Sequence, residues 1–173
     1  MIKRIFISSL TITIVVLCFI ISCQKGASNA NNLCDGLITD NTGTNDNAII
    51  CIPNVFSPNS DGINDWFKVF YKDIQKTDVK IYDSSNNIVF ETTDINAKWI
   101  PKDTINTPYL YHYSIQTTTT NNHKTGACGL LYRLNKCLPK YLSISNLQFE
   151  DQLTLKYTFT GITSDPIANI QCQ

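Results

Sequence analysis

Residues 53–67 constrain the fold of this chain more than any other stretch, since they read Pro-Asn-Val-Phe-Ser-Pro-Asn-Ser-Asp-Gly-Ile-Asn-Asp-Trp-Phe. One glycine lies among Asn and Asp residues, whose side chains favour turns by hydrogen bonding to nearby backbone amides. Phe56 and Phe67 flank this polar centre. The pattern predicts a tight turn between two apolar strands, held together by its own side chains.

The N-terminus has the pattern of an export signal. Lys3 and Arg4 precede a short apolar run, and the run ends at Ser22-Cys23, which resembles a bacterial lipobox. We therefore predict a lipoprotein signal peptide over residues 1–22 and a lipid on Cys23, which would become the new N-terminus. The alternative is an uncleaved membrane anchor, although a spanning helix usually needs about 20 apolar residues.

After the signal, residues 23–47 are rich in Gln, Ser, Asn, Thr and Asp, which predicts a flexible tether between a lipid anchor and a folded domain. Loss of Lys3 and Arg4 would leave 12 cations against 14 anions. The chain has no run of basic residues, and nucleic-acid affinity depends on neutralising phosphates. We therefore expect no nucleic-acid partner.

Cysteine is the other unusual component, with seven residues in the chain. Cys18 lies in the predicted signal and Cys23 is the lipidation candidate, so the disulfide candidates are Cys34, Cys51, Cys128, Cys137 and Cys172. In an exported protein they favour disulfides over metal binding, with at most two bridges and one free thiol. A Cys34–Cys51 bridge would join the tether to the first strand. The alternative is that some are buried free thiols.

The remaining sequence predicts short strands separated by polar turns. Val79-Lys80-Ile81-Tyr82 and Ile88-Val89-Phe90 predict a hairpin, and the alternation of Tyr109, Tyr111, Tyr113 and Ile115 predicts one face of a further strand. We therefore predict an all-β chain: a single immunoglobulin-like antiparallel β-sandwich over residues 48–138. Alternation from Leu153 to Phe159, with residues 141–149 as the partner strand, predicts an added C-terminal β-hairpin over residues 139–173.

Four blocks of sequence resemble the gliding-motility-associated C-terminal domain, a β-sandwich module of bacteria that use type IX secretion. The first block is residues 53–65, and the second is 79–90, where Ile81, Tyr82, Val89 and Phe90 match the family's hairpin. In that hairpin Ser84, Ser85 and Asn86 replace the usual Arg, Trp and Gly, so Asn86 or Asn87 must adopt the turn conformation. Trp99 forms the third block, and residues 111–115 with 129–133 form the fourth.

The resemblance implies a cell-envelope function. With the lipobox, it indicates an outer-membrane lipoprotein, on the periplasmic face or the cell surface, anchored in the membrane by its lipid. We expect a non-catalytic module for surface display, adhesion or envelope assembly, associated with gliding motility or type IX secretion, whose partners are envelope or secretion-machinery proteins or surface glycans. The alternatives are a sorting signal for type IX secretion and a calcium-dependent glycan-binding module.

The segment of residues 59–65, which we call the Asn/Asp loop, allows two interpretations. Carboxylate and amide oxygens around a glycine are typical of calcium sites, and the candidate ligands are Asn59, Asp61, Asn64 and Asp65. The spacing falls short of an EF-hand loop, however, and the same residues also suit an Asx turn that binds backbone amides. Calcium is the one candidate cofactor, and the Asx turn is the alternative we favour.

Catalytic patterns are weak in this sequence. His112 and His123 have no spaced partners, Glu91 and Glu150 are the only two glutamates, and there is no phosphate-binding loop. We therefore expect no enzymatic activity. Trp66, Trp99 and the tyrosines at 109–113 suit a carbohydrate-stacking platform, but their alternation fits core packing better.

Overall fold

The computed structural model describes Leu37, residues 47–103 and residues 108–173. The predicted signal peptide, Cys23, Cys34 and nearly all of the predicted tether lie outside the described residues. Within the part of the chain that is described, no helix is long and apolar enough to cross a membrane.

Five strands form the larger of two sheets. They are β2 (Val55–Phe56), β4 (Ile74–Tyr82), β5 (Ile88–Thr92), β6 (Tyr109–Thr119) and β7 (Lys124–Arg133). Their order across the sheet is β2-β7-β6-β4-β5. The pairs β4–β5, β4–β6 and β6–β7 are antiparallel, as predicted, whereas the two-residue pairing of β2 with β7 is parallel.

A smaller sheet covers one face of the larger one. It consists of β1 (Ile49–Cys51) and β3 (Phe70–Lys72), which pair antiparallel. Ile50 and Tyr71 from this sheet pack against a core in which Ile81 and Ile115 of the larger sheet are fully buried. Alternate residues of a strand face opposite sides of a sheet, so one face of β4 and β6 forms this core. The predicted all-β, sandwich-like architecture is confirmed.

The β4–β5 hairpin has the turn that the sequence predicts. Asp83 accepts hydrogen bonds through its carboxylate from the backbone amides of Ser85, at 2.8 Å, and Asn87, at 2.9 Å. Asn86 has a φ of 63°, in the left-handed region that asparagine adopts more readily than most residues. Asparagine therefore takes the place that glycine usually occupies in such a turn.

The predicted C-terminal hairpin is wrong. Residues 139–173 contain three short 3-10 helices, Ile144–Asn146, Glu150–Gln152 and Pro166–Asn169, instead of two long strands. The chain reverses at Tyr157, whose φ is 58° and whose amide donates to the Thr154 carbonyl oxygen at 3.0 Å. The bridge between Leu153 and Phe159 joins two residues of the same predicted strand, so that strand folds back on itself instead of pairing with residues 141–149. Leu155, which alternation places on the buried face, is fully exposed.

The residues that follow β7 nevertheless belong to the fold. Residues 134–173, which we call the C-terminal segment, supply most of a second apolar cluster around Val55 of β2. Its buried members are Val55, Leu134, Leu138, Leu147, Phe149 and Ile167. Phe149 and Leu134 are wholly buried. Burial of this apolar area attaches the C-terminal segment to the edge of the larger sheet that β2 forms.

Candidate functional site

The Asn/Asp loop is closed by its own side chains. Asp65 accepts from the Ser60 amide at 2.7 Å and from the Gly62 amide at 2.8 Å. Asp61 accepts from the Ile63 amide at 2.9 Å. Just before the loop, the Ser57 amide donates to the Asn64 carbonyl oxygen at 2.8 Å. Both carboxylates therefore satisfy backbone amides, which is the Asx-turn arrangement.

Three residues of the loop have left-handed backbone conformations. Their φ angles are 67° at Ser60, 89° at Gly62 and 54° at Asn64. Left-handed conformations are costly for most side chains, and the carboxylate bonds from Asp61 and Asp65 are what hold the loop in them.

The structure places the four candidate calcium ligands in two groups. Asn59, Asp61 and Asp65 lie together, and the Asn59 amide donates to the Asp61 carboxylate at 2.9 Å. Asn64 is buried and faces the C-terminal segment instead. Among the described residues, no group of three or more His, Cys, Asp or Glu side chains has the arrangement to hold a metal ion.

A calcium titration separates the two interpretations of the loop. We expect millimolar calcium to leave the midpoint of thermal unfolding unchanged, because the Asp61 and Asp65 oxygens already bind backbone amides. Asp61→Asn should cost little, since an amide oxygen can accept the same bond. An upward shift that Asp61→Asn abolishes, and that Asp83→Asn in the hairpin turn leaves intact, would instead establish a calcium site.

Gly62 gives a second test of the loop. Gly62→Val should lower the free energy of unfolding by about 1 kcal/mol or more, because a β-branched residue is strained at a φ of 89°. No atom lies within 4 Å of the added Cβ, so the effect comes from the backbone alone. The matched control, Gly62→Asn, should lose less stability, since asparagine tolerates the left-handed region. Equal losses in chemical denaturation would contradict this account.

A buried polar network connects the entrance of the loop to the C-terminal segment. Asp165 is fully buried and its carboxylate accepts from the Ser57 hydroxyl, from the Asn64 amide at 3.3 Å and from the Ile167 backbone amide at 3.0 Å. The last of these bonds caps the helix Pro166–Asn169. Asp165 is the central acceptor of the site, and its place directly before a proline is the sequence signal that identifies it as a helix cap.

Asp151 forms the outer part of the same network. Its carboxylate accepts from the Asn64 amide at 3.2 Å, the Thr163 hydroxyl at 2.9 Å and the Ser164 amide at 2.6 Å. Burial raises the pKa of Asp151, but these hydrogen bonds outweigh it and leave the pKa below its ordinary value. The stabilisation is therefore present above the ordinary carboxyl pKa and is lost as the pH falls through the lowered one.

Asn54 makes a further connection to the C-terminal segment. Its side-chain amide donates to the Asn146 carbonyl oxygen at 3.0 Å, and its side-chain oxygen accepts from the Gln148 amide at 2.7 Å. The Asn54 backbone amide also donates to the Gln148 carbonyl oxygen at 3.0 Å. No local sequence pattern predicts these contacts, because their partners lie about ninety residues further along the chain.

A buried cation forms a second polar cluster. Arg133 is almost fully buried, and its guanidinium donates to the Asp103 carboxylate at 2.5 Å, the Tyr111 hydroxyl at 3.2 Å and the Asn135 side chain at 3.0 Å. The guanidinium is buried, whereas 40% of the Asp103 side chain is exposed, so these bonds give a buried charge its partners at the edge of the core and explain the arrangement structurally. Of the aromatic residues considered for a glycan platform, Trp99 and Tyr111 are buried in the core beside it, whereas Trp66, Tyr109 and Tyr113 are half-buried.

The cysteines divide into bridges and one thiol. Cys137 and Cys172 form a disulfide. Cys128 is also disulfide-bonded. Cys51 is a buried free thiol whose Sγ lies 3.1 Å from the Tyr157 carbonyl oxygen. The Cys34–Cys51 bridge is therefore wrong.

Comparison with protein families identifies the domain that contains the Asn/Asp loop. Residues 50–132 match the family model of the CHU_C type IX secretion signal domain. No curated protein and no solved structure matches the chain. The matched range begins within β1, ends within β7 and includes the Asn/Asp loop. A domain of this family indicates a secreted or cell-envelope protein with a role in type IX secretion. Residues 50–132 therefore form a domain of the CHU_C type IX secretion signal family.

Proposed function

We propose that this chain is a lipid-anchored protein of the outer membrane whose β domain is a non-catalytic module for surface display, adhesion or envelope assembly. The observation that carries the proposal is the match of residues 50–132 to a type IX secretion signal domain, together with Ser22-Cys23 at the end of an apolar N-terminal run. The partners we propose are envelope or secretion-machinery proteins, with surface glycans as another class.

The geometry of the Asn/Asp loop supports a non-catalytic role. General acid–base and nucleophilic catalysis need a side chain that is free to reach a substrate. Asp61 and Asp65 bind the loop's own amides, and Asp165 accepts three bonds inside the protein. These carboxylates hold the loop and the C-terminal segment in place instead of being available for substrates.

A sorting signal for type IX secretion is the second candidate, and the family match itself favours it. The two candidates predict different results for an isolated domain. A sorting signal would carry an unrelated exported protein to the cell surface when residues 48–173 are fused to it. A display or assembly module would not.

The lipid anchor gives a direct test of the first candidate. Cys23→Ala should release the protein from the membrane fraction or leave an uncleaved precursor, because the thiol that accepts the lipid is gone. Protease added to intact cells should degrade the wild-type protein if it is displayed at the surface. Cys18→Ala, inside the predicted signal, is the matched control and should change neither result. Mass spectrometry that shows an unmodified Cys23 in the processed protein would refute the anchor.

A further inference from the structure

The C-terminal segment covers one edge of the signal domain. β2 is the outermost strand of the larger sheet on that side. Its outer edge faces the C-terminal segment, where Asn54 exchanges backbone and side-chain bonds with Gln148 and where Val55 packs in the second apolar cluster. An uncovered strand edge presents unpaired amides and carbonyls that other chains can bind. Here that edge is closed from within the same chain.

The same segment covers the inner side of the Asn/Asp loop. Asn64 has only 5% of its surface exposed, because its amide is held between Asp151 and Asp165. Ser57 is wholly buried against Asp165. The family match ends at residue 132, just before the C-terminal segment begins. The segment therefore hides residues that the matched domain by itself would present.

One disulfide joins the two ends of the covering segment. Cys137 lies at its beginning and Cys172 near residue 173, with a sequence separation of 35. Beside the bridge, the Leu138 amide donates to the Ile170 carbonyl oxygen at 2.6 Å and the Cys172 amide donates to the Leu138 carbonyl oxygen at 3.0 Å. Both cysteines are half-buried. The bond therefore closes the cover into a ring and is partly open to solvent.

We propose that residues 134–173 are a redox-controlled cover. While the Cys137–Cys172 bond is closed, the cover buries the β2 edge and the inner side of the Asn/Asp loop. When the bond is reduced, the cover exposes both. Opening of the cover is a property of the fold itself, whereas recognition of a partner by the exposed surfaces rests on the proposed function. The bond is closed by default, because disulfides persist in the oxidising compartments that exported proteins reach, and it opens only where a dithiol donor is supplied.

Reduction needs a dithiol as the electron donor. Its thiolate attacks one sulfur of the bridge and forms a mixed disulfide, and the other cysteine leaves and takes up a proton. The second thiol of the donor then displaces the remaining cysteine, so that Cys137 and Cys172 each end as a thiol and the donor ends as a disulfide. Two electrons and two protons pass to the protein.

Loss of the bond should open the cover without unfolding the domain. The C-terminal segment consists of short 3-10 helices and isolated bridges, so it is held in place by the second apolar cluster, the Asp165 network and the disulfide instead of by a sheet of its own. A cross-link restricts the unfolded states of the loop that it closes, so its removal favours opening of that loop. β4, β6 and β7 keep their own ladder and their separate apolar core.

Hydrogen exchange on the purified chain tests the opening. The double variant Cys137→Ser/Cys172→Ser should speed exchange of the Gln148 and Ile167 amides at least tenfold. The Gln148 amide donates to Asn54 on the covered face, and the Ile167 amide donates to Asp165 within the cover. The amides of Ile81 and Ile115 in the main core should stay protected. Cys128→Ser, which removes the other bridge, is the matched control and should leave Gln148 and Ile167 slow. Dithiothreitol added to Cys51→Ser should reproduce the double variant.

Three results would overturn the proposal. Unchanged exchange at Gln148 and Ile167 would show that the bond does not hold the cover. Equal acceleration at Ile81 and Ile115 would show that the bond stabilises the whole fold. If the cover opens but the double variant reaches the cell surface in the same amount as Cys128→Ser, the cover has no role in recognition; we expect at least a twofold difference. Absence of all variants from the surface would count against the proposed function instead.

Discussion

Asp165→Ala should lower the free energy of unfolding by about 3 kcal/mol or more, one of the two largest effects we expect from a single substitution. The carboxylate is fully buried and accepts from Ser57, Asn64 and the Ile167 amide. Hydrogen bonds to a charged group contribute about 1.5–3 kcal/mol each, and loss of the acceptor leaves the buried donors without a partner. The same change also removes the cap of the helix Pro166–Asn169.

Chemical denaturation measures this effect, and an exposed carboxylate provides the control. Glu91 forms an ion pair with Lys80 at 3.2 Å on the surface of the β4–β5 hairpin, with 54% of its side chain exposed. Glu91→Ala should cost less than about 1 kcal/mol, since exposed ion pairs contribute little. If Asp165→Ala costs no more than Glu91→Ala, the network does not hold the C-terminal segment to the loop.

Phe149→Ala should cost about 3–5 kcal/mol, because it removes a wholly buried ring from the second apolar cluster and leaves a cavity. Leu155→Ala is the control from the same segment, and it should be neutral within about 0.5 kcal/mol because Leu155 is fully exposed. The pair distinguishes the observed fold from the predicted hairpin, in which Leu155 lies on the buried face. A large loss of stability in Leu155→Ala would instead support the predicted hairpin.

Both substitutions measure how far the domain extends beyond the family match. The match ends at residue 132, yet five of the six buried members of the second cluster lie between Leu134 and Ile167. If residues 134–173 were an independent appendage, Phe149→Ala would leave the unfolding of the main core unchanged. We expect a single cooperative transition with a lower midpoint in the oxidised protein, because the segment shares Val55 and Ser57 with the domain.

Local sequence determined the parts of the fold that depend on neighbours in the chain. The turn of the β4–β5 hairpin follows from Asp83 and Asn86, whose bonds and backbone angle involve only the next few residues. The Asn/Asp loop follows in the same way, since Asp61 and Asp65 bind amides two to five residues away. Period-two alternation located β6, and the two short apolar runs located the β4–β5 hairpin. One face of β4 and of β6 is buried, whereas the residues of β5 are exposed or half-buried.

Tertiary structure alone decided the arrangement of the C-terminal segment. Alternation from Leu153 to Phe159 predicts a strand, but no neighbouring strand is present for it to pair with, and the chain turns at Tyr157 instead. A strand is stabilised by the partner that satisfies its amides and carbonyls, and no local pattern specifies that partner. Asp165 is a cap by sequence, but its bonds to Ser57 and Asn64 span about a hundred residues. The sequence by itself therefore determined the turns and the strand faces, whereas only the folded chain decided which polar groups are buried together.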